Sequence, residues 1–141
     1  DVYKRQLYGP DYLLPENIIL VTMNYRLGAL GFLNTGTEDA PGNAGLKDQI
    51  LALKWVRENI DKFGGNRNEV TIGGQSAGSA SVHYLIMSPL AKGLFKRAIA
   101  QSGVALNPWA ITNISHERAF MLGKALNYVT NDTEKLMRKL C

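Results

Sequence analysis

Residues 69–85 read EVTIGGQSAGSASVHYL, and the fold turns on how they are parsed. Glu69-Val70-Thr71-Ile72-Gly73 has the partly β-branched make-up of a short strand. Residues 77–87 read as a helix stopped by Pro89. Between them Gly74-Gln75-Ser76-Ala77-Gly78 matches G-x-S-x-G. So short a pattern is weak alone. Its place between a strand and a helix makes it a candidate nucleophile elbow, the sharp turn that exposes a reactive serine.

An elbow makes specific physical demands. The chain reverses so abruptly that Ser76 must adopt a strained backbone conformation, and Gly74 and Gly78 are expected to remove side chains that would collide there. The Ser76 hydroxyl would then stand over the N-terminus of the next helix. There the Ala77 amide and the helix dipole favour a developing oxyanion. The competing interpretation is a glycine-rich turn with a capping serine. A serine hydroxyl also needs a histidine to take its proton and a carboxylate to orient that histidine. The chain has two histidines, His83 and His116. His83 lies seven residues along the same helix, about 10 Å of rise from Ser76, and is expected to pack or cap there. His116 follows Ser76 too closely for an intervening strand and loop to deliver the acid, so it too is a poor base. The segment therefore carries a nucleophile without its partners.

Outward from the elbow, the pattern alternates. Pro15-Glu16-Asn17 is a turn, and residues 18–25 form an apolar run suited to a strand buried on both faces. Residues 27–45 hold five glycines and Pro41 and read as a long loop. From Ala44, Leu46, Ile50, Leu53, Val56, Ile60 and Phe63 recur every three or four residues, which predicts a half-buried helix ended by Gly64-Gly65. Trp55 widens its apolar face. Residues 97–101 read as a third strand, and 115–127 and 132–140 as two more helices. Strand–helix alternation predicts an α/β protein of three parallel strands with flanking helices around the elbow.

The 141 residues suffice for one ordinary domain, and 45% hydrophobic with 20% charged residues is a globular composition. The net charge of +4 comes from scattered Lys and Arg, with no basic run interleaved with aromatics, so nucleic acid is not an expected partner. Apolar runs such as 18–21 are too short to span a membrane. Asn113-Ile114-Ser115 and Asn131-Asp132-Thr133 are N-glycosylation sequons, making Asn113 and Asn131 candidate acceptors in a secretory compartment.

In order along the chain come Tyr8-Gly9-Pro10, Asn24-Tyr25-Arg26-Leu27-Gly28, Gly31-Phe32-Leu33 and Pro41-Gly42-Asn43-Ala44-Gly45-Leu46. Asp48-Gln49, Trp55-Val56, Phe63-Gly64-Gly65, the elbow and Gln101-Ser102-Gly103 follow. Together these motifs resemble the type-B carboxylesterase/lipase family, which includes the cholinesterases. The likeness is greatest to insect carboxylesterases, juvenile-hormone-esterase-like members among them. It runs from about residue 7 to the end, so 7–141 are expected to be a fragment of a single α/β-hydrolase domain and 1–6 to be foreign to it.

The resemblance implies Ser76 as nucleophile and Ala77 as one of three oxyanion amides, with no metal or cofactor. The other two amides would come from a Gly-Gly loop upstream, and the triad Glu and His from beyond Cys141. An upstream strand between the first two seen here would also be missing, leaving a gap in the sheet. Trp109 matches a position lining the acyl pocket, and Arg26 with Asp48 matches a structural ion pair. Gln75 stands where many relatives have Glu, which disfavours cationic choline esters. The relatives' disulfide near residues 128 and 139 has no counterpart, Cys141 being displaced from it. The implied function is hydrolysis of a small apolar carboxylic ester through an acyl-serine, in the secretory pathway or alternatively the cytoplasm, with the 141 residues inactive by themselves. The rivals are a non-catalytic adhesion or binding protein on this fold, and a peptidase or lipase.

Overall fold

The computed structural model describes residues 9–140. Asp1–Gln6, expected to be foreign, and Cys141 lie outside the described residues. A 3-10 turn at Leu14–Glu16 ends on Asn17 in the left-handed conformation. Helix α1 (Gly28–Phe32) and an isolated Asn34–Pro41 bridge interrupt the glycine-rich loop. Helix α2 (Ala44–Asn59) continues as a 3-10 turn over Ile60–Phe63 and stops at Gly64, whose φ of 80° suits a residue with no Cβ. Then come strand β1 (Thr71–Gln75), helix α3 (Ala77–Met87), strand β2 (Arg97–Gln101), and helices α4 (Ser115–Ala125) and α5 (Thr133–Leu140).

β1 and β2 pair in parallel, from Thr71↔Arg97 to Gln75↔Gln101. Parallel neighbours need a crossover, and α3 supplies it while packing on both strands. The predicted apolar stripe of α2 faces this unit. Ile50 and Leu53 join Ile72, Val82, Leu85, Ala91 and Leu94 in one buried cluster. Burying a side chain of Leu53's size stabilises by about 1.5–3 kcal/mol. Trp55 stays half exposed against Phe63, their ring centroids 5.9 Å apart.

Two sequence expectations need correction. The β1 ladder begins at Thr71 rather than Glu69 and runs through Gly74 and Gln75. The Val70 carbonyl accepts from the Lys96 and Arg97 amides, and Glu69 pairs with both side chains, so these residues clip the strand ends together ahead of the ladder. Glycine's weak strand preference hides the other end.

The larger correction concerns residues 18–25, which join no sheet. Among the described residues the sheet has two strands, not three. Ile18, Ile19, Leu20 and Val21 are 39–44% exposed rather than buried. The run nevertheless has a definite place. Ile19 abuts Gly65 and Ile60 at the far end of α2, while Arg26 bonds Asp48 near its start. Those anchors are about 18 Å apart along a helix, within the reach of the seven residues that join them. A strand also needs a lateral partner for its amides and carbonyls. None stands there.

Candidate active site

Ser76 sits between β1 and α3 with φ 58° and ψ −118°, a sparsely populated region costing about 1–3 kcal/mol. Two features hold it there. Its amide donates to the Gln101 carbonyl at 2.9 Å, carrying the sheet pairing one step past β1. Its carbonyl accepts from the Ser79 and Ala80 amides at 2.9 and 3.1 Å, which starts α3. The Ser76 side chain makes no capping hydrogen bond, so the capping-serine interpretation has no support in the geometry.

Only one of the two elbow glycines is forced sterically. A Cβ on Gly74 would lie 2.2 Å from the Gly78 carbonyl oxygen, which no backbone tolerates. At Gly78 a Cβ would meet nothing beyond its own helix. The expectation that both glycines relieve a collision is therefore corrected: the crowding lies between Gly74 and the backbone of the helix's first turn. Gln75 is the last residue of β1, in register with Gln101.

With the Ser79 and Ala80 amides engaged, those of Ala77 and Gly78 have no backbone acceptor among the described residues. Unpaired amides at the positive end of a helix form a site for negative charge. Ala77 is exposed.

Neither imidazole reaches this site through a hydrogen bond among the described residues. His83 Nδ1 accepts from the Ala105 amide at 3.1 Å, so that nitrogen is unprotonated and occupied. His116 opens α4 and packs edge-on against Phe120, with centroids 5.0 Å apart.

The segment after β2 comes back against the elbow. Ser102 has φ 60°, and the turn brings Gly103 under Ser76. A Cβ at Gly103 would lie 2.7 Å from the Ser76 carbonyl oxygen and 3.4 Å from the Trp109 ring. Trp109 is thus one residue's thickness from the Ser76 backbone, with 56% of its surface exposed. Sequence reasoning missed what holds this segment: Ser79 Oγ donates to the Gly103 carbonyl, and Tyr84 Oη donates to the Ala110 carbonyl at 3.0 Å. The available signal was three polar side chains, Ser79, His83 and Tyr84, at helical spacing in an apolar helix.

Arg26 and Asp48 form a forked pair. Nε donates to Oδ2 at 2.9 Å and Nη2 to Oδ1 at 2.8 Å, and the Arg26 amide adds a third bond to Oδ2 at 3.0 Å. The guanidinium bonds and then the amide bond lower the Asp48 pKa to about 2. The Arg26 carbonyl faces Gly31 and Gly45, where any Cβ would sit within 2.4 Å of it. Asn113 and Asn131 are both exposed. Asn113 borders an open cleft of about 530 Å³ shared with Pro108, Ile111 and Arg118. No helix among the described residues is long and apolar enough to cross a membrane.

Comparison with known proteins agrees with this architecture. The carboxylesterase family model matches residues 2–141. Venom carboxylesterase-6 of Apis mellifera is 53% identical over 88% of this chain and 22% of its own length. Juvenile hormone esterase of Tribolium castaneum is 60% identical over 72% of the chain and 17% of its own. The crystal structure of juvenile hormone esterase from Manduca sexta, with OTFP covalently attached, superposes with a TM-score of 0.87 at 40% identity. It covers 94% of this chain, which spans 25% of that one. The chain thus corresponds to about a quarter or less of these relatives. With the matched family model, the parallel β1–α3–β2 unit and its elbow agreeing, this chain belongs to the carboxylesterase family and has part of the α/β-hydrolase fold.

Proposed function

We propose that Ser76 is the nucleophile of a serine carboxylesterase of which these residues form the elbow-bearing part. The observation that carries this is the conformation of Ser76, strained between β1 and α3 with its hydroxyl unused as a cap. Strain of this kind persists where the surroundings impose it, and it clusters at reactive sites. The covalent OTFP named for the Manduca sexta structure supports a covalently reactive centre in this fold.

In the proposed reaction, Ser76 Oγ attacks the ester carbonyl carbon and passes its proton to a histidine supplied by another part of the longer protein. The carbonyl oxygen becomes an oxyanion facing the Ala77 amide. Collapse expels the alcohol, which takes the proton, and leaves acyl-Ser76; water then releases the acid by the same steps. Neither His83 nor His116 is that base, so the 141 residues alone are inactive: loss of the triad histidine costs on the order of 10⁶ in turnover. Trp109, beside Gly103, faces the acyl group, and the ester is small and apolar. Arg26 and Asp48 brace the loop ahead of α2. Secretion is the proposed destination, supported by the venom relative and by sequons at exposed Asn113 and Asn131.

The test is a fluorophosphonate probe on the full-length protein. One label at Ser76, lost in Ser76→Ala with the fold intact by circular dichroism, is the expected result. Absence of labelling in a folded parent would instead indicate the non-catalytic binding protein.

A further inference from the structure

α3 presents Ser79, His83 and Tyr84 on one face, and among the described residues the hydrogen bonds of their side chains go to residues 103–110. Ser79, fully buried, donates to the Gly103 carbonyl. His83 Nδ1 accepts from the Ala105 amide, and Tyr84 Oη is shared between the Ala105 and Ala110 carbonyls at 3.4 and 3.0 Å. Ala105 is thus gripped by both its amide and its carbonyl, and is buried. Within the segment, Asn107 Oδ1 accepts from the Val104 amide at 2.7 Å, closing a compact turn. Trp109 lies between the two gripped positions, with its ring over Gly103, one residue's thickness from the Ser76 backbone.

We propose that His83, with Ser79 and Tyr84, is a positioning clasp that sets which acyl groups the Ser76 site accepts. This rests on Ser76 as nucleophile and Trp109 facing the acyl group, as proposed above. His83 is the discriminating member. Its neutral ring supplies the acceptor for an amide that has none other among the described residues. A side chain of similar shape without an acceptor would leave that amide unsatisfied, and the turn carrying Trp109 would shift to reach water. Asparagine places an oxygen where His83 Nδ1 stands, so it preserves the clasp without an imidazole.

The experiment uses the full-length protein as parent, His83→Phe, His83→Asn and Tyr84→Phe. In His83→Phe, amide exchange of the peptide covering 103–110 should accelerate by about tenfold. The kcat/KM ratio of p-nitrophenyl butyrate to acetate should move by about fivefold, within what pocket contacts of one or two methylenes control. His83→Asn should restore both to within about twofold of the parent. If His83→Phe does not fold, Tyr84→Phe, lacking the bonds to Ala105 and Ala110, must shift the ratio instead. An unmoved ratio in the folded variants, or failure of asparagine to rescue, overturns the clasp while Ser76 still labels with fluorophosphonate. A parent that does not label at Ser76 overturns the nucleophile assignment and this inference with it.

Discussion

Ile19 stands in the far more apolar run, Ile18-Ile19-Leu20-Val21, and Ile72 in the glycine-bearing Thr71–Gln75, yet Ile72 is 8% exposed within a ladder and Ile19 is 42% exposed beside a helix. β1 finds in β2 a parallel partner in full register, and α3 closes over both. Residues 18–25 are anchored along α2 near both ends but have no paired strand among the described residues. Composition makes a segment able to be a strand; a neighbour makes it one. A paired neighbour, present for β1 and absent among the described residues for 18–25, is the physical difference between the two regions.

Substitutions can break that contrast or sharpen it. The largest effect should come at the elbow. Gly74→Val drives a side chain into the Gly78 carbonyl and should cost more than about 3 kcal/mol, or prevent folding, in urea denaturation followed by circular dichroism. Gly78→Ala, four residues on and into open space, should stabilise α3 by about 0.5–1 kcal/mol in the same assay. Equal losses at the two positions would show that the crowding lies elsewhere.

Next comes the comparison itself. Leu53→Ala, inside the cluster shared with Ile72, should cost about 2–5 kcal/mol. Val21→Ala in the 141-residue chain should cost less than about 1 kcal/mol, since its side chain is already in part solvated. A loss at Val21 matching that at Leu53 would mean that the run is buried after all.

The smallest effect concerns the anchor of that run. The folded Asp48 carboxyl titrates near 2, below its ordinary 3.8, so the unfolded chain binds the proton more readily between those values. The pair's contribution is fully present above about pH 4 and is lost as pH falls towards 2. Asp48→Asn should flatten that part of the stability-against-pH curve and leave neutral pH little changed, because the pair is solvent-exposed.

The elements set by local signals were legible in the sequence. The bounds of α3 and β2 match their predicted spans, and the stripe of Ile50, Leu53, Val56 and Ile60 is the buried face of α2. What depended on distant partners was not. The start of β1 is displaced by Glu69 pairing across to Lys96 and Arg97, and Gly78 has room where crowding was expected. The bonds from α3 to residues 103–110 join side chains to backbone atoms far along the chain; polar residues at helical spacing mark the donors and acceptor on α3, but nothing in the sequence marks their backbone partners. Ser76 was legible because its motif is contiguous.

The bond from the Ser76 amide to the Gln101 carbonyl also bears on how the protein is made. That bond is one of the two features that hold Ser76 in its strained turn, so a growing chain that has exposed its serine but not yet β2 lacks part of what holds the elbow. The geometry of the turn then arrives with strand pairing, after β2 has followed the serine. The elbow is in this sense a product of the β1–β2 pairing and not of the five-residue motif alone.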